Sequence, residues 1–271
     1  MKNNKYKAIA LDLDGTLTDS NKRLPEENKE AVWKAIDAGC IVILVSGRAI
    51  FGISKLAGEL ELDKRGGYVV AYNGGNIIDW KTGEMLYEQI LPAECIHDIC
   101  EQASANGVVT LTYTPDGIVA ENDTDEYIMK EAKCNGSPIR KVDNLEAFVD
   151  YPVSKFLVVG VHEKLRPVQE ALLGKHGDVI DAFFSEEYFL EIVPKGVKKS
   201  AALESLLLKL KIDRSELIAF GDGMNDIPML EYAGFSVVMQ NAYPGVKKYA
   251  DYITLSNDEC GVAHAIEKFV L

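Results

Sequence analysis

Apolar positions in the first 80 residues follow two alternating periods. Residues 6–13 form a short apolar run with an acidic end, and Ile41–Val45 is apolar throughout, the pattern of a strand buried on both faces. Between them Ala31, Val32, Ala35 and Ile36 recur at helical spacing, and Gly39 closes that stripe. After Ser46-Gly47-Arg48 a second helical pattern runs to about Leu60. Residues 68–72 make a third strand, and Asn73-Gly74-Gly75-Asn76 is a turn signal. The C-terminal part resumes the alternation, with helices over 200–210, 225–233 and 261–270 and strands over 217–220, 236–239 and 252–255. Such alternation predicts an α/β fold built on a doubly wound, mostly parallel, Rossmann-like core sheet.

The middle of the chain breaks this rhythm. Strand-like pieces at 108–113, 117–120, 155–161 and 183–192 mix with two helical patterns at 93–105 and 164–176. Thr114-Pro115-Asp116-Gly117 reads as a hairpin turn. The pattern predicts an inserted α+β cap domain over 83–191, with the core formed by 1–82 and 192–271.

Composition narrows the classes. The 271 residues, 47% hydrophobic and 26% charged, are ordinary for one or two globular domains. The longest apolar runs, 40–45 and 156–161, fall far short of the ~18 residues a membrane helix needs. The basic start at residues 1–7 is followed by only four apolar positions before Asp12, which predicts no secretory leader. Forty-two acids against 29 Lys and Arg give a net charge of −13, so nucleic acid and membrane are expected to be no partners. That charge also repels a phosphorylated metabolite at long range, so any such ligand needs a local lysine or a metal ion. Five scattered cysteines without a CxxC pair predict reduced thiols and a cytoplasmic setting. Cys95, His97 and Cys100 sit at helical offsets that share no face, so packing explains them.

In an open α/β sheet, ligands bind beyond the carboxyl ends of the strands, where strand order reverses. Three strand ends here carry polar groups: Asp12-Leu13-Asp14-Gly15-Thr16, Ser46-Gly47-Arg48, and Gly221-Asp222-Gly223-Met224-Asn225-Asp226. Asp12 and Asp14, two apart on an extended chain, share a face and repel unless a cation lies between them. Asp222 supplies a third hard oxygen ligand, a set suited to Mg2+. Each motif alone also reads as a turn or a helix cap. Together, with acids at two strand ends of one sheet, they favour chemistry.

These residues resemble a known family. Asp12-Leu13-Asp14-Gly15-Thr16-Leu17 resembles the nucleophile motif of the haloacid dehalogenase superfamily. Gly221-Asp222-Gly223-Met224-Asn225-Asp226-Ile227-Pro228-Met229-Leu230 is similar to the acidic motif of its Cof-like sugar-phosphatase branch, and the lysine stretch from Glu191 to Lys199 fits that branch. Asn73-Gly74 fits its turn. The likeness runs in motif order from about Lys7 to the C-terminus and is weakest through the middle, where the family's large cap would fall. One departure is Ser200, where glycine usually follows the lysine. Of Lys195, Lys198 and Lys199, the last aligns best, 23 residues before Asp222.

The resemblance implies a Mg2+-dependent phosphatase, a phosphoric monoester hydrolase working through an aspartyl-phosphate on small phosphorylated metabolites, sugar phosphates above all. It implies Asp12 as nucleophile and Asp14 as acid and base. Lys199 and Ser46 would join in catalysis, with the Gly47 amide and Asn225 on the phosphate or leaving group. The metal would be held by Asp12, the Asp14 carbonyl and Asp222. Asp226 would either orient the lysine or add a ligand. The cap would act as a lid, with Tyr113, Tyr127, His162 and Tyr188 more simply explained as packing or surface. The chain is expected to be a monomer or a weak homo-oligomer. Three alternatives stay open: a sugar phosphomutase, an idle metabolite-binding regulator, and, much less well supported, a receiver domain, since the third strand ends without an aspartate. Nucleotide-binding glycine motifs of the GxxxxGK[ST] and GxGxxG kinds do not occur.

Overall fold

The computed structural model describes residues 5–271, so the first four residues of the basic start lie outside the described residues. The chain divides into two compact units. Of the described residues, one comprises 5–47, 53–87 and 198–271, and the other 48–52 and 88–197.

The first unit carries strands β1 (Ala8–Leu11), β2 (Ile41–Val45), β3 (Tyr68–Ala71), β4 (Asn76–Asp79) and β5 (Glu84–Glu88). The second unit contributes β6 (Val109–Thr114), β7 (Gly117–Ala120), β8 (Ile139–Lys141), β9 (Phe156–Val159), β10 (Ile180–Glu186) and β11 (Phe189–Pro194). The chain returns to the first unit with β12 (Leu217–Gly221), β13 (Phe235–Val238) and β14 (Tyr252–Ile253).

The eight-stranded sheet runs β14-β13-β12-β1-β2-β3-β4-β5. β1 lies between β12 and β2, parallel to both. The chain steps outward from β1 in one direction through β2 and β3, and from β12 in the other through β13 and β14. Strand order therefore reverses between β1 and β12, where an open α/β sheet places its ligand crevice. Apolar runs at β1, β2 and β12 are buried along nearly their whole length, which is why they read as uninterrupted hydrophobic segments. On one face, Leu203, Leu206 and Leu207 of the helix Lys199–Leu210 pack onto Ala8, Ala10, Ile43, Val45 and Ala219.

The doubly wound α/β core matches the expectation, and local differences occur in both units. β4 runs antiparallel to β3 and, with β5, extends one edge of the sheet. β5 is largely exposed, so burial leaves no apolar signal on it. The run expected at 183–192 is a hairpin: β10 and β11 pair antiparallel across the Glu186-Glu187-Tyr188 turn.

The second unit is a six-stranded sheet, β10-β11-β9-β6-β7-β8, whose core joins Val119, Phe156, Val158 and Ile192 to Ile99 and Leu165 of the helices Glu94–Ala105 and His162–His176. It also holds a helix, Glu126–Asn135, absent from the sequence reading. That helix is mostly polar, so periodicity hid it. Its ends were legible: the Asp125 side chain accepts from the Tyr127 and Ile128 amides, and Gly136 closes it in a left-handed conformation.

Candidate active site

Asp12 leaves the end of β1 with its amide donating to the Phe220 carbonyl of β12 at 3.1 Å, so two neighbouring strands fix its main chain. The chain then turns tightly. Gly15 takes φ +81, and a β-carbon there would collide with the Asp222 carboxylate. Glycine thus lets the main chain approach Asp222, and the Thr16 hydroxyl donates to Asp222 Oδ1 at 2.8 Å.

Lys199 is the first residue of the helix Lys199–Leu210, and its side chain is fully buried. An ammonium at a helix N-terminus opposes the dipole, and the first turn holds no acid. Compensation is tertiary. Nζ donates to Asp12 Oδ1 at 2.5 Å and to Asp226 Oδ1 at 2.6 Å. Burial alone would lower the ammonium's pKa, but the Asp12 and Asp226 charges outweigh it and hold Lys199 above its ordinary range. Asp226 is itself fixed from the other side, with Oδ2 accepting from the Asp222 and Gly223 amides at 3.0 and 2.9 Å.

Carboxylate oxygens of Asp12, Asp222 and Asp226 lie within 4.8 Å of one another. Three acids against one lysine leave buried negative charge in excess. Burial, with Asp226 beside it, pushes the Asp12 carboxyl well above its usual range despite Lys199, and burial pushes Asp222 up to about 6. A hard divalent cation relieves the same excess without a proton, so this donor set fits Mg2+.

A second group of residues stands at the end of β2. Asn73 donates its amide to the Ser46 carbonyl, and the Ser46 amide donates to Val70, both at 2.9 Å. The Asn73 side chain lies against Gly47 and accepts from Asn225 Nδ2 at 3.2 Å. Gly74 takes φ +114 against the Lys198 carbonyl, where a side chain would not fit.

The structure therefore brings Asp12, Asp222, Asp226 and Lys199 into direct or near contact. It links Ser46 and Gly47 to Asn225 through Asn73. Asp14 pairs with Lys22 at 2.6 Å. Of the competing lysines, Lys198 supplies the helix cap position and Lys195 pairs with Asp181 in the second unit. Thr16 and Asn73 stand in motifs legible in the sequence but carry no assigned role there; Lys22 has no such signal.

A family model of haloacid dehalogenase-like hydrolases matches residues 9–266. The chain belongs to this family. A solved haloacid dehalogenase-like hydrolase from Bacteroides thetaiotaomicron is 46% identical, with a TM-score of 0.94 over 97% of this chain and 99% of that one. The 5-amino-6-(5-phospho-D-ribitylamino)uracil phosphatase YwtE of Bacillus subtilis strain 168 is 29% identical over 97% of this chain and 98% of its own. The HMP-PP phosphatase of Serratia proteamaculans strain 568 is 27% identical, covering 98% and 96%. The chain is thus a hydrolase whose relatives, matched almost end to end, include named phosphatases.

Proposed function

We propose that this protein is a Mg2+-dependent phosphatase of small phosphorylated metabolites, sugar phosphates above all, acting through a phosphorylated Asp12. The observation that carries this reading is the buried cluster in which Lys199 bridges Asp12 and Asp226 beside Asp222. Asp12 would attack phosphorus, forming an oxygen–phosphorus bond as the ester bond breaks. Asp14 would give its proton to the departing alkoxide, then take one from the water that releases phosphate from Asp12. Lys199 would hold a transferring oxygen, and Ser46, the Gly47 amide and Asn225 would hold the others or the leaving group. Asp12, the Asp14 carbonyl and Asp222 would hold Mg2+, with Asp226 keeping the lysine in place. The cation would supply positive charge where a carboxylate meets a phosphate dianion, the electrostatic part of phosphoryl transfer.

The second unit would act as the specificity cap. The ester named for YwtE sits on a ribityl chain, a polyol close in chemistry to a sugar, which supports polyhydroxylated leaving groups here too. No helix of the described residues is long and apolar enough to cross a membrane, and the free cysteines fit a reducing cytoplasm.

The test is phosphate release from a panel of sugar, polyol and nucleoside monophosphates, with Mg2+ and with chelator, beside Asp12→Asn. The expected result is metal-dependent release that Asp12→Asn lowers by about 10³-fold or more. Retained turnover in that variant would sink the covalent reading. Movement of labelled phosphate within one sugar, without release, would favour the mutase instead.

A further inference from the structure

We infer that Lys22 is a positioning residue for Asp14, fixing the carboxyl that carries the proton in the reaction; this rests on the role proposed for Asp14 above. Lys22 Nζ meets Asp14 Oδ1 at 2.6 Å, with the side chains 48% and 28% exposed. An exposed pair between flexible side chains adds little to stability. The main chain around it is nevertheless built to hold it.

Lys22 takes φ +62, in the left-handed region that a residue with a β-carbon adopts at a cost. The surrounding turn imposes that conformation. Lys22 donates its amide to the Asp19 carbonyl, and Asp19 donates its own to the Arg23 carbonyl, both at 2.9 Å. Asp19 Oδ1 accepts from the Asn21 and Arg23 amides, while Oδ2 accepts from the Arg23 guanidinium. Ser20 ties the turn to the rest of the unit, donating through its amide and hydroxyl to the Asp258 carboxylate at 2.8 and 2.7 Å.

The other partner is equally fixed. Asp14 forms an isolated bridge with Thr18, whose amide and hydroxyl both donate to the Leu13 carbonyl. Both ends of the ion pair thus stand on a hydrogen-bonded main chain, and the pair favours one orientation of the Asp14 carboxyl. A left-handed residue held by its surroundings beside a proton-transferring group motivates a functional reading. Proton transfer in turn demands a donor held in one direction.

The experiment compares Lys22→Met with the unaltered chain on two substrates. One is an alkyl phosphate, whose alkoxide leaves only with a proton. The other is p-nitrophenyl phosphate, whose phenolate leaves without one. On the alkyl phosphate, kcat should fall about tenfold or more while KM moves less than about twofold. On p-nitrophenyl phosphate, the first-turnover release of nitrophenolate should stay within about twofold of the unaltered chain. Lys22→Arg should restore most of the loss, since it returns a cation to the same oxygen.

Equal loss on both substrates, or no loss on either, would overturn the inference. Asp14→Asn is measured alongside. If Asp14→Asn keeps full turnover on the alkyl phosphate, the reading of Asp14 falls and this inference with it. If Asp14→Asn loses turnover and Lys22→Met does not, only the role of Lys22 falls.

Discussion

At the scale of single residues, Lys199 is a fully buried cation held by two carboxylates. It sits where the helix dipole disfavours it, wholly buried, because two carboxylates claim its ammonium. Removing one member of a buried ion network strands the others. Lys199→Met should therefore lower stability by about 3–5 kcal/mol, measured by urea unfolding in chelator. Added Mg2+ should recover part of that loss, because a cation bound only by the folded chain stabilises it. A variant as stable as the unaltered chain would mean that the acids are neutralised without the lysine. Alignment with the family motif favours Lys199 among three crowded lysines. What separates them is burial beside Asp12, a residue 187 positions away.

At the scale of elements, the second unit is joined by ion pairs as well as by its core. Asp98 on the helix Glu94–Ala105 accepts from Lys175 at 2.8 Å and from His176 at 2.6 Å, at the end of the helix His162–His176. The Lys175 bond, then the His176 bond, hold its carboxyl below the ordinary value of 3.8. A carboxyl with a depressed folded value stabilises the fold above its unfolded pKa and stops doing so as pH falls through the folded one. The melting difference between the unaltered chain and Asp98→Asn should be full at neutral pH and close as acid is added below about pH 4. A difference that persists unchanged into acid would show that packing, and not the charge, links these helices. The elements themselves were legible where burial was two-sided, as in β1, β2 and β12. Exposed β5 and the polar helix Glu126–Asn135 were not, because neither buries a periodic apolar face large enough to read.

At the scale of the whole molecule, the charge of −13 works against an anionic substrate. Salt screens such repulsion, shortening its range from about 30 Å at 0.01 M to about 8 Å at 0.15 M. With free Mg2+ held constant, kcat/KM for a sugar phosphate should rise across that range of ionic strength. A fall would mean that a local positive field, centred on groups such as Lys199, governs approach instead.

Local sequence rules suffice for the class of the core and for the strand ends that carry the acids. Both follow from local rules: two-sided burial writes an apolar run, and a turn after it writes Asp, Gly and Thr at fixed short spacings. Asp12-Leu13-Asp14-Gly15-Thr16 and Gly221-Asp222-Gly223 could be found that way. Which charges meet is a matter of the folded chain. Lys199 shared between Asp12 and Asp226, Thr16 on Asp222, Asn73 between Gly47 and Asn225, and Lys22 on Asp14 are set by the sheet's crossing connections and by a left-handed turn. No periodicity records them, because charge pairing acts through space and leaves its partners free to lie anywhere along the chain.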